Sequence, residues 1–243
     1  MRTQRKPNGF VIYRGPSAID GAPIVAIATG FARGSDNRKT GKMVQTWIIR
    51  EDLSPTEALK AGKDASVCGD CPLRGVLGKK RGCYVNLGQG PLSVFRAFKR
   101  GSYPELLALP EVLEAGRGRT IRVGSYGDPA AVPVAVWDAF LKASVGHTGY
   151  THQWKSPRLS DGLSRFLMAS ADSEHDKARA WALGWRTFRL AEAPGRGEIE
   201  CPSSRGISCE DCQLCGGAGM ARSITIPAHG VGKKYAAAVA AAA

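Results

Sequence analysis

A chain of 243 residues, 43% hydrophobic, is long enough to bury a full core in one large domain. No run approaches the ~18 apolar residues of a membrane span, and the basic start MRTQRKPNGF has no apolar core behind it, so neither a membrane partner nor a secretory leader is expected, and a cytoplasmic chain is. The formal charge of +13 is uneven: residues 1 to 100 carry 18 Lys and Arg against 7 Asp and Glu, and the rest 16 against 14, which points to a polyanionic partner for the first part.

In chain order, strands are expected at Phe10 to Tyr13, Pro23 to Thr29 and Val44 to Ile49, separated by turn residues and opening the chain with an antiparallel extension over 1–60. Ser54, Pro55 and Glu57 read as a helix start with a capping box. Helices follow over Pro91 to Arg100 and Pro104 to Glu114, ended by Gly101 and Gly116. From residue 120 strand and helix alternate. Thr120 to Gly124 is a strand and Val132 to Ala143 an amphipathic helix; His147 to Thr151 and Arg165 to Ala169 are strands, Ser173 to Leu183 a helix, Thr187 to Leu190 and Ile224 to Ile226 the last strands. This βαβ pattern predicts an α/β fold, a partial or complete β/α barrel over 61–230, followed by a disordered alanine-rich tail over 231–243.

Seven cysteines fall into two clusters, read as two metal sites. Cys201, Cys209, Cys212 and Cys215 lie in a Cys-rich loop over 201–217 whose CxxCxxC spacing lets a turn wrap four thiolates round one iron–sulfur cluster, with zinc as the alternative. Cys68, Cys71 and Cys83 supply only three, so a 4Fe-4S cluster there keeps one position open. Between and around them stand Arg38, Lys39, Lys42, Lys79, Lys80 and Arg81, the candidate nucleic-acid contacts. In a parallel β/α fold the loops after strand C-termini converge on one face, which nominates Tyr126, Asp128, His152 and Asp172 as catalytic candidates in a pocket that Trp154, Ser170 and His229 also surround. Asp128 can equally be a turn residue and Asp172 a helix cap.

The ordered motifs SDNRKTGKM, CGDCP, GCYV, RVGSYGDP, GYTHQW, MASADS, GW and CPSSRG with CEDCQLC, between about Asn37 and His229, together resemble the phage gene product 88 family and its phage- and plasmid-borne relatives, some labelled rolling-circle-replication-associated. The resemblance implies a barrel of the radical S-adenosylmethionine type, in which Cys68, Cys71 and Cys83 hold the cluster beside Tyr84 and Asp128 is the carboxylate after the first barrel strand. The chain departs from the CxxxCxxC of such enzymes: it has CxxC and a third cysteine after eleven residues. The alternative is a non-catalytic nucleic-acid-binding or replication-associated protein with structural metal. A rolling-circle nickase needs two histidines flanking one residue, whereas His147 and His152 are five apart.

Overall fold

The computed structural model describes residues 6–75, 81–106, 108–219, 222–230 and 232–236. Nine strands form one sheet, β1 (Gly9–Pro16), β2 (Pro23–Thr29), β3 (Val44–Arg50), β4 (Thr120–Tyr126), β5 (Gly146–Thr151), β6 (Met168–Ala171), β7 (Thr187–Leu190), β8 (Glu198–Glu200) and β9 (Ser223–Ile226). Their order is β1-β2-β3-β4-β5-β6-β7-β9-β8. The first two pairings are antiparallel and every later one is parallel. The fold is therefore mixed α/β with a mostly parallel sheet that is not closed.

Helices α1 (Pro55–Lys60), α2 (Ala65–Cys68), α3 (Gly90–Lys99), α4 (Leu109–Gly116), α5 (Val134–Lys142), α6 (Pro157–Ser160), α7 (Glu174–Ala182) and α8 (Cys209–Cys212) fill the connections. The capping box at α1 forms: the Ser54 hydroxyl accepts from Glu57 N–H and the Glu57 carboxylate accepts from Ser54 N–H. Two expectations are corrected. The helix begins at Leu109, because Pro104 and Leu106 bond instead to Val11 of β1. The sixth strand begins at Met168, because Leu163–Arg165 close a 3-10 turn that accepts from Phe166 and Leu167.

Strand alternation divides the burial. Ile121 and Val123 of β4 join Val136, Trp137 and Phe140 of α5 and Val112 of α4 in the main core. Met168 and Ile224 join Tyr150, Phe188, Cys215 and Leu214 in a second, smaller cluster formed with the cysteine-rich segment. Residues 233–236 form a helical turn with Ala236 buried, while 237–243 lie outside the described residues. Among the described residues no helix is long and apolar enough to cross a membrane.

Candidate functional site

The first cysteine loop is fastened to the ends of β4 and β5. Asp128 N–H donates to Val67 O at 2.6 Å, just before Cys68 at the end of α2. Gln153, after β5, donates to Asp70 Oδ1 at 2.7 Å. Gly69 between them has φ +59°, and a Cβ there would stand 2.2 Å from Gln153 Nε2, so CGDC needs its glycine for both conformation and space. Cys83 returns through its N–H to Leu73 O at 2.8 Å. Cys68, Cys71 and Cys83, all free thiols, thereby line one cavity of about 120 Å³ with Tyr126, Asp128 and His152.

His152 Nε2 lies 3.8 Å from Cys71 Sγ and 3.5 Å from Asp172 Oδ1. Burial opposes its positive charge, but Cys71 and Asp172 override that and hold its pKa well above the ordinary value. Asp128 is held by three hydrogen bonds: Oδ1 accepts from Ala130 N–H at 3.0 Å and the Thr151 hydroxyl at 2.7 Å, and Oδ2 from His152 N–H at 2.8 Å. Burial raises its pKa against those bonds. Asp128 thus positions His152. Asp172 is buried, and its Oδ2 has no partner. Ser173, rather than Asp172, caps α7 by accepting from Asp176 N–H at 3.1 Å, which leaves the Asp172 carboxylate facing His152. Tyr126 is buried in the wall, and burial pushes its hydroxyl well up.

A larger cavity of about 610 Å³ adjoins the first: Tyr84, Tyr150, His152 and Ser170 line both. It reaches the second cluster, for Cys201 and Cys209 stand in its wall. Arg122 of β4 opens into it and donates through Nη2 to the Tyr84 hydroxyl at 2.9 Å. Burial disfavours the Arg122 cation, but Tyr84, Tyr150 and Cys209 outweigh it and its pKa is raised. Tyr84 stacks on His229 with ring centroids 5.5 Å apart. Trp154 is instead packed inside, donating to Ser170 O at 2.8 Å.

Cys201, Cys209, Cys212 and Cys215 share a small cavity with Thr148 and Tyr150. The turn after α8 passes through Gln213 at φ +50°, and Gly149 N–H on β5 donates to Cys215 O at 3.1 Å. Burial pushes the Cys215 thiol up to about 12, and the neighbouring cysteines add to it. Cys68 is raised by burial and by Cys71 and Cys83. Buried thiols that repel one another as thiolates fit a centre whose positive charge makes them anionic. No three His, Cys, Asp or Glu among the described residues already have the arrangement of a single-ion site.

The basic motif SDNRKTGK docks by its backbone on the second cluster: Cys209 N–H donates to Lys39 O at 2.7 Å and Lys42 N–H to Glu210 Oε2 at 2.7 Å. The side chains of Arg38, Lys39 and Lys42 remain exposed. Arg81 turns inward, donating to Val85 O at 2.5 Å beside the first thiols. Lys79 and Lys80 lie outside the described residues. Sequence reasoning missed Arg122 and Gln153; each lies within a named motif, RVGSYGDP and GYTHQW, and that was the only signal for either. No family description, curated protein or solved structure matches the chain.

Proposed function

We propose that the chain is an iron–sulfur protein of the radical S-adenosylmethionine type on a partial β/α barrel, related to the phage gene product 88 group and acting on or with nucleic acid. The observation that carries this reading is the convergence of Cys68, Cys71 and Cys83 on one cavity at the ends of parallel strands, with a second, larger cavity beside it. Cys68, Cys71 and Cys83 would hold a 4Fe-4S cluster, which would supply the electron for cleavage of S-adenosylmethionine. Around it, Tyr126 and Leu87 wall off water, and Asp128 holds the His152 backbone. His152 presents Nε2 between Cys71 and Asp172, where it can hold a proton. Cys201, Cys209, Cys212 and Cys215 close a second centre, iron–sulfur or zinc, and Arg38, Lys39 and Lys42 beside it face a polyanion.

Anaerobically reconstituted, reduced protein is expected to convert S-adenosylmethionine to 5′-deoxyadenosine, and Cys71→Ser to abolish this. Iron-loaded protein that neither binds nor cleaves the cofactor refutes the radical mechanism. A colourless zinc protein favours the second reading, a non-catalytic nucleic-acid-binding or replication-associated protein, which the exposed basic loop on the cysteine-rich segment supports.

A further inference from the structure

Three other arginines are neutralised at short range, Arg50 by Asp52 at 2.7 Å, Arg74 by Asp64 at 2.6 Å and Arg189 by Glu198 at 2.5 Å, while buried Arg186 spends its donors on the main-chain carbonyls of Leu214, Gly217 and Arg222. Arg122 differs. Among the described residues no carboxylate pairs with it; the Tyr84 hydroxyl takes one donor at 2.9 Å and the Tyr150 ring lies 5.8 Å away. A guanidinium has five N–H donors in a fork that matches an oxyanion, and an unpaired one in a cavity wall is costly without a partner. The cavity of about 610 Å³ into which Arg122 opens has flat and apolar walls: Phe188 and Tyr150, with centroids 4.2 Å apart, Leu190 and Ile226. Lys39 stands exposed at the rim.

We infer that this cavity is a substrate site for a molecule with a flat apolar body and an oxyanion held by Arg122. A cavity of this size with few polar groups among apolar walls has the anatomy of a small-molecule pocket. The inference deepens the radical reading by naming the substrate class, and rests on it only for what the bound molecule then undergoes. The oxyanion is a phosphate or a carboxylate.

Calorimetric titration of the anaerobically reconstituted full chain tests it with two matched pairs, adenosine 5′-monophosphate against adenosine and phenylacetate against phenylacetamide. At least one anion is expected to bind about tenfold or more tightly than its neutral twin, the scale of a charge-assisted hydrogen bond. The responding pair identifies the oxyanion. Arg122→Gln should erase the preference, Arg122→Lys retain part of it, and Lys39→Gln, at an exposed site, weaken anion binding a few-fold. The inference is overturned if no anion binds at millimolar concentration, if neither pair shows a preference, or if the preference survives Arg122→Gln. Loss of quartet metal in Arg122→Gln with anion preference intact also overturns it, since Arg122 then serves the Cys209 thiolate. These titrations need no S-adenosylmethionine. Lost preference with full iron content therefore defeats this inference alone, and absent cofactor cleavage with retained preference defeats only the radical reading.

Discussion

Gly69 gives the first cysteine loop its one left-handed residue, φ +59°, at a point where any Cβ would meet Gln153 2.2 Å away. Gly69→Ala is expected to cost about 1–3 kcal/mol from backbone strain alone, and to push Gln153 off Asp70. Iron bound by the first trio should fall while metal in the quartet stays; unchanged melting temperature and iron content would refute the account. Cys212 probes the other centre. It follows Ser208, whose hydroxyl accepts from Asp211 N–H at 3.2 Å to start α8, and it precedes the left-handed turn at Gln213. Since metal binding to such thiolates is coupled to folding, Cys212→Ser is expected to lower both metal content and melting temperature. Equal values in wild type and variant would remove the closed-site reading.

At the scale of elements, α7, β7 and β8 are tied by a charge network rather than by apolar packing alone. Arg189 of β7 pairs with Glu198 of β8 at 2.5 Å and Glu174 of α7 at 2.8 Å, and Lys177 reaches Glu174 and Glu198. Burial raises the Glu198 pKa, but Arg189 and Gly195 N–H outweigh it, so the folded value lies below the ordinary ~4.3. Its contribution is full above the unfolded value and is lost as pH falls through the folded one. Glu198→Gln should therefore destabilise by up to about 3 kcal/mol near neutrality, because it leaves buried Arg189 only the exposed Glu174, with the gap narrowing in acid. Urea melts near pH 7 and pH 3.5 read this; a gap that widens in acid would contradict it. The strands with local signals were legible in the sequence: Pro23–Thr29 and Thr187–Leu190 carry β-branched residues between turn residues, and the Ser54 box is a contact over three residues. What was hidden depends on distant partners. Pro104 to Leu106 resembles a helix start until β1 captures it, and Glu198–Glu200 is a strand only because β9 lies beside it. The cysteine spacing exposed both thiol groups. The approach of His152 to Cys71 arises from packing across 81 residues and the surroundings of Arg122 from packing across 38 to Tyr84, and neither left a local mark.

Over the whole molecule, the antiparallel β1 to β3 and the parallel β4 to β9 share one sheet, and the basic loop between β2 and β3 crosses to the cysteine-rich segment at the far end of the chain. That crossing brings a loop with three exposed cations, Arg38, Lys39 and Lys42, against the Cys209 segment, with Lys39 at the large cavity. The loop is held by main-chain groups: Asn37 Oδ1 accepts from Lys39 N–H at 3.0 Å, and Lys39 O accepts from Cys209. Gly41, at φ +67°, leaves room for Glu210. The three cationic side chains can thus be neutralised without unfastening the loop. Each phosphate they contact releases a condensed counterion, so binding to DNA or RNA should weaken steeply with salt and show little sequence preference. In the triple variant Arg38→Gln, Lys39→Gln, Lys42→Gln, the slope of log K against log salt should become shallower by up to about 3. Titration of single- and double-stranded DNA and RNA across several salt concentrations measures it. A slope unchanged in the triple variant would move the contact elsewhere on the basic first half, and wild-type protein that binds no polyanion even at low salt would remove nucleic acid as its partner.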